Sequence, residues 1–306
     1  MAGDVIVLTR YRITPEHAQL EPFRAIPGDL VPRDAQDLMA YPFFSLAKNP
    51  RTIPIDFRMN DVAIRVQASA EHGMATIWDA DILIWAASQI IEARDAGLRT
   101  SRLLATTYFD ILSFIGRGAS GRDYHRLKAA FNRLQSTTVE TSLRQPKEWQ
   151  GHPFSWISGW TERVDGQGHV SGIDFIVPDW LYRAVLNDAL VLTIDPSYFK
   201  LTGGLERWLY RLVRKHAGRQ RAGWRFEFRH LHLKSASLSP FGRFAFELRN
   251  IVRRQPLPGY RLSIERMPAG HEVLKFATAK ISTTSCGQAV NASGLSGTTM
   301  TGDQEL

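Results

Sequence analysis

The chain has 306 residues and a single cysteine, Cys286, so no disulfide can close within it, as fits a reducing compartment. No apolar run approaches the roughly 18 residues that a membrane-spanning helix needs. The opening MAGDVIVLTRYR carries only a short apolar patch, preceded by Asp4 rather than a basic lead, and does not read as a signal peptide. The expected compartment is therefore the cytoplasm, where the Asn291-Ala-Ser293 sequon is idle. There is no P-loop, so the chain itself is not expected to hydrolyse ATP. No Ser/His/Asp or Cys/His pattern stands out. Cys286 lies in the 282–306 stretch, rich in Ser, Thr, Gly and Asn and poor in large apolar residues. Such a stretch cannot offset the entropy of ordering, and it is expected to be a disordered tail in which nothing would position a nucleophile. No catalysis, cofactor or metal is expected.

What is present is a core and an uneven charge. Hydrophobic residues make up 44% and charged residues 22%, ordinary for a globular chain. The net charge is +8. Between Leu205 and Arg261 there are 14 Lys/Arg and 3 Asp/Glu, a local excess of +11, so the rest of the chain is slightly acidic. Basic character confined to one region points to a binding surface for a polyanion, double-stranded DNA being the natural candidate.

Along the chain, residues 1–50 are broken by Pro15, Pro22, Pro27, Pro32 and Pro42, and read as an extension without long helices. Short extended runs follow at Thr52–Arg58 and Val62–Ala68. Asp81–Ala96 reads as a helix with Asp79 as N-cap. Tyr108–Ile115 is helical, Gly116–Gly121 breaks it, and Arg122–Gln135 is a second amphipathic helix. Its apolar stripe is Tyr124, Leu127, Phe131 and Leu134, with Arg122, His125, Arg126, Asn132 and Arg133 opposite. Strands are expected at Thr137–Leu143, Ser155–Arg163 and His169–Val177, the last two joined by the hairpin signal Asp165-Gly-Gln-Gly168. Helix, turn, basic helix and hairpin is the order of a winged helix.

The order recurs. Leu205–Ala217 is helical with Trp208, Leu209, Leu212 and Val213 inward, which leaves Arg207, Arg211 and Arg214 on the other face, suited to phosphate or to solvent. Trp224–Phe228 alternates like a strand, and His230–Ser235 is a short helix or turn. Pro240–Arg254 is a helix with Ser239 as N-cap and Pro240 at its first position. Its stripe is Phe241, Phe244, Leu248 and Ile251, while Arg243, Asn250, Arg253 and Arg254 project outward; Arg249 adds to its charge. A hairpin of Tyr260–Arg266 and Glu272–Ala277 follows. Pro240–Arg254 is the candidate recognition helix. Arg243 is best placed for a base edge, Asn250 can read adenine, and Arg253 and Arg254 suit phosphate. Arg122, Arg126 and Arg133 are the parallel set in the first unit. The wing residues Arg163, Arg266 and His271 are candidates to reach the adjacent groove or backbone, with an ordinary exposed residue as the plain alternative for each. For the helices the plain alternative is a solvated basic face.

Two further motifs compete. Gly116, Gly118 and Gly121 form a literal G-x-G-x-x-G, but the preceding run has helical spacing, so an interhelical turn is expected rather than a dinucleotide site. His230-Leu-His232 matches the His-hydrophobic-His of metal-dependent, tyrosine-using nicking enzymes, but no third ligand is nearby, and Tyr198-Phe-Lys200 precedes the pair instead of following it.

Three segments carry a family resemblance: DLMAYPFFSLAKNPRTIPIDF at 37–57, ATIWDADILIWAASQ at 75–89 and DPSYFKLTGGLERWLYRLVRKHAG at 195–218. They resemble the plasmid replication initiator A family, over roughly 35–280. The resemblance implies a Rep-type initiator that binds repeated origin sequences (iterons) through winged-helix domains, recruits the host replisome and does not nick DNA. It implies dimerisation through the first domain, and 230–254 as the iteron reader.

The expected fold is α+β: an N-terminal extension (1–50), a first winged-helix domain (51–180), a second with the main recognition role (181–281) and a disordered C-terminal tail (282–306). The expected function is plasmid replication initiation on double-stranded origin DNA, with host helicase and initiator proteins as partners and a homodimer as an assembly. The two recognition helices are expected in successive major grooves about one turn apart. The rivals are a winged-helix transcriptional regulator and, from another class, the His-Tyr nicking enzyme.

Overall fold

A computed structural model describes residues 19–144, 152–217, 223–268 and 270–279. The expected tail at 282–306, with Cys286 and the sequon, lies outside them, as does Gly218. The described chain is a mixed α/β protein, and no helix in it is long and apolar enough to cross a membrane.

The N-terminal part runs through β1 (Phe23–Arg24), β2 (Arg33–Ala35), α1 (Gln36–Ala40), β3 (Ile55–Met59) and β4 (Val62–Gln67) to α2 (Ala80–Asp95). Then come β5 (Leu103–Thr106), α3 (Tyr108–Phe114), α4 (Gly121–Ser136), β6 (Thr138–Thr141), β7 (Phe154–Ser155), the hairpin β8 (Gly159–Val164) and β9 (Val170–Ile176), and α5 (Asp179–Val185). One sheet has the order β1-β5-β9-β8; a second, β3-β4-β6-β7, is antiparallel throughout. The expected strand after α4 therefore pairs with β4 and leaves the hairpin to the other sheet.

Strand β10 (Val191–Thr193) leads into α6 (Gly204–Ala217), β11 (Trp224–Glu227), α7 (Phe228–Ser235), α8 (Phe241–Arg254), β12 (Tyr260–Arg266) and β13 (Glu272–Thr278), with sheet order β11-β13-β12. The two halves share one plan. Apart from β6 and β7, which join the other sheet between α4 and β8, the orders α2-β5-α3-α4-β8-β9 and α6-β11-α7-α8-β12-β13 both run helix, strand, two helices and a hairpin. In β5-β9-β8 and in β11-β13-β12 the last strand lies between the other two, and β1 adds a fourth strand beside β5.

Local chemistry explains the helix boundaries. Thr107 and Asp110 at α3, and Ser120 and Asp123 at α4, form reciprocal capping boxes that satisfy the first free N–H groups. The three glycines at 116, 118 and 121 lie between helices α3 and α4, with Gly116 in the left-handed region (φ 66°), so they make an interhelical turn. Helix α8 begins one residue later than expected: Pro240 occupies the cap position and Ser239 lies outside it. Asp79 occupies the N-cap position of α2 as expected, but its side chain makes no capping bond; its carboxylate accepts from the Thr76 N–H at 2.8 Å and from Arg133.

Two clusters of buried apolar side chains hold the chain together, one drawing on residues 23–185 and the other mainly on 194–276. Residues 23–46 are not a loose extension. Phe23, Leu38, Phe43 and Phe44 are buried in the first cluster and Met39 in the second, while β2 pairs with β10. Nor is α2 one-sided: every residue from Ala80 to Ile91 is buried. Helix α6 docks so closely on the N-terminal segment that a Cβ on Gly204 would stand 2.0 Å from the Leu46 carbonyl oxygen.

Candidate nucleic-acid interface

Helix α8 buries Phe244, Ala245, Leu248 and Ile251. At about 100° per residue, the opposite pole carries Arg243, Phe246, Asn250 and Arg253. Arg243 and Arg253 are exposed, and Arg253 Nη1 donates to Asn250 Oδ1 at 3.0 Å, which holds the amide in one orientation. No hydrogen bond or ion pair engages Arg243 within the described residues.

The turn before α8 is built to fix the helix. Ala236 adopts the left-handed conformation (φ 48°), and His232 Nε2 donates to the Ser239 carbonyl at 2.8 Å. The His232 ring packs on Phe241 and Phe244, and the Arg229 guanidinium lies 4.8 Å from the Phe241 ring centre. Beyond the helix, the Gln255 side-chain amide pairs both ways with the Leu262 backbone, at 2.8 and 2.9 Å, and so ties the end of α8 to β12.

The other basic residues expected at the interface divide sharply. Arg249 donates twice to Glu272 of β13, at 3.0 and 2.6 Å, and Arg254 donates to Glu206 of α6 at 2.5 Å. These contacts brace α8 against the β12–β13 hairpin and α6. The hydrogen bond from Arg249 holds the Glu272 carboxyl below its ordinary range.

Arg207 and Arg211 do not face solvent or phosphate. Each is 1% exposed. Arg207 Nη1 lies 2.7 Å from Asp81 Oδ1 and its Nε donates to the Leu201 carbonyl; Arg211 Nε and Nη2 lie 2.7 and 3.0 Å from the two oxygens of Asp34. Burial works against the charge of both guanidiniums, and the facing carboxylate more than offsets it, so both stay protonated above their ordinary range. The expectation failed because the face of α6 opposite Trp208 and Leu212 packs on another part of the chain. Arg214 is half-buried and donates to the Thr193 carbonyl at 2.7 Å.

In the N-terminal half, Arg122 and Arg126 are exposed on α4, with Arg126 3.8 Å from Asp123. Arg133 forms a two-pronged ion pair with Asp79, both bonds 2.7 Å, which spends its fork inside the protein. A cavity of about 600 Å³ beside α4 is lined by Lys48, Trp78, Arg117 and Arg126 among others. Arg163 folds across the sheet to β5, donating to the Thr106 carbonyl at 2.9 Å, so it is not free to reach a groove.

His230 and His232 lie on helix α7, where residues two apart point about 200° away from each other and cannot chelate one ion. His230 stacks on Phe226 and His232 serves the turn. No group of three or more His, Cys, Asp or Glu among the described residues could hold a metal.

Fold and surface together define a two-part α/β chain with an outward basic helix in the part that carries most of the charge. The fold is similar to that of domains 2 and 3 of RctB in two crystal structures. The selenomethionine form matches with a TM-score of 0.58 and 15% identity, over 79% of this chain and 97% of that one. The other matches with a TM-score of 0.53 and 14% identity, over 80% and 96%. The model of the family described as replication initiator protein A matches residues 33–262. A protein of Wigglesworthia glossinidia brevipalpis named "Putative replication protein" is 32% identical over 228 residues, which are 73% of this chain and 82% of that one. The chain belongs to the replication initiator protein A family.

Proposed function

We propose that this chain starts plasmid replication by binding repeated sequences in double-stranded origin DNA. In this reading each half is a winged helix, α8 is the principal recognition helix, and α4 is a second, weaker contact in a neighbouring major groove. The order helix, strand, helix, helix, hairpin, twice over, supports the domain reading. The single observation that carries the DNA reading is the outward pole of α8, where Arg243 and an oriented Asn250 stand opposite the buried stripe. Arg and Asn are the side chains that pair two-pronged with guanine and adenine edges. Arg207 and Arg211 are withdrawn from the interface; Arg122, Arg126, Arg253 and the wing's Arg266 supply phosphate contacts.

The protein then acts without catalysis of its own, in the cytoplasm. Host helicase and initiator proteins assemble on the complex, and a homodimer through the N-terminal half regulates access. Footprinting on the replicon that encodes the chain tests the proposal. Protection of direct repeats beside the replication start supports it, whereas protection confined to a promoter favours a transcriptional regulator on the same fold.

A further inference from the structure

Phe246 is 60% exposed, on the same pole of α8 as Arg243 and Asn250. It lies one turn after Arg243 and one turn before Asn250, so the three side chains are neighbours on the helix surface. The buried stripe makes no use of it: Phe244 and Leu248, two residues away on either side, are 1% and 0% exposed. A large aromatic ring is thus held out in water at the centre of a basic surface.

We infer that Phe246 is a specificity residue that reads thymine by packing on its C5-methyl group; this rests on α8 being the recognition helix. Among the base edges of the major groove, that methyl group is the apolar feature, and Phe is among the side chains that contact it. Surrounding charge selects the occupant. On the outward side of α8 the helical neighbours of Phe246 are Arg243, Glu247, Arg249 and Asn250. A protein-docking patch would be expected to extend as a contiguous apolar surface, whereas a lone ring among arginines fits a polyanion with small apolar features. Glu247, on the adjoining side of the pole, suits the cytosine amino group and the exclusion of phosphate from the centre of the face.

The test is selection from a random-sequence duplex library with the full chain, for wild type, Phe246→Ala, Phe246→Leu and Arg243→Ala. The wild type enriches a motif with one or more fixed thymines; Phe246→Ala relaxes those positions alone, and Phe246→Leu keeps part of the preference. Replacing those thymines with deoxyuridine weakens wild-type binding about fourfold per methyl group, the factor that corresponds to one buried methyl, and leaves Phe246→Ala unchanged. Equal wild-type affinity for thymine and deoxyuridine duplexes overturns the inference, as does an unchanged motif in Phe246→Ala. If Phe246→Ala keeps the motif but loses self-association in sedimentation, the ring is a protein contact and the inference is again overturned. An altered Arg243→Ala motif in either case shows that the recognition-helix reading survives. A wild type that enriches no motif removes both.

Discussion

Arg211 and Asp34 face each other through two hydrogen bonds of 2.7 and 3.0 Å, with both side chains almost wholly shielded from water. They stand 177 residues apart in sequence. Together with Arg207 and Asp81 they join the opening helix of the C-terminal half to the N-terminal half. Removing one partner leaves a buried charge alone. Arg211→Ala or Asp34→Ala is therefore expected to cost about 3–5 kcal/mol, and the double variant much less than the sum of the two. Chemical denaturation of the four proteins checks this; additive losses would mean that the pair is not coupled.

The same junction predicts the effect of one methyl group. Gly204→Ala places a Cβ against the Leu46 carbonyl, so α6 must shift away from the N-terminal segment. The expected cost is about 1–3 kcal/mol by overpacking. A denaturation midpoint equal to that of wild type would contradict the close approach.

Acid sensitivity should localise to His216. Burial, together with Lys215, Lys234 and His230 nearby, lowers its pKa from 6.5 to about 4. The folded state thus favours the neutral ring. Its contribution is fully present above pH 6.5 and is lost as the pH falls towards 4, because only the unfolded chain takes up the proton in that range. Allowing for partial solvent contact, the loss is on the order of 2 kcal/mol. His216→Gln should flatten the stability profile between those limits; an unchanged slope would assign the effect elsewhere.

Much of the architecture was legible in local pattern. The apolar stripes of α4 and α8, the Asp165–Gly168 turn and the helical run before Gly116 are short-range signals, and the structure follows them within a residue or two. The role of 23–46 was not legible, because β2 pairs with β10 more than 150 residues away. The burial of Arg207 and Arg211 was hidden for the same reason. Periodicity says which residues share a face, not whether water or Asp34 and Asp81 will meet it. Phe246 was missed, although its signal is local: an aromatic residue off the 244–248–251 stripe is a departure from amphipathic order.

The division among the arginines of α8 gives its own prediction. Arg249 is already engaged by Glu272, so Arg249→Ala should lower stability by about 1 kcal/mol and leave sequence preference nearly unchanged. A variant that folds as well as wild type but binds origin and random DNA alike would move Arg249 into the reading face.

The central claim is that the outward pole of α8 reads bases, and binding of Arg243→Ala, Asn250→Ala and the double variant to origin and random duplexes, measured across salt concentrations, tests it most directly. Each substitution that removes a good base-edge hydrogen-bond pair should reduce the preference for origin DNA by about 1–3 kcal/mol, with the salt dependence on random DNA nearly unchanged. An equal drop in affinity for both duplexes, with a shallower salt dependence, would make these residues phosphate-binding groups and contradict the account.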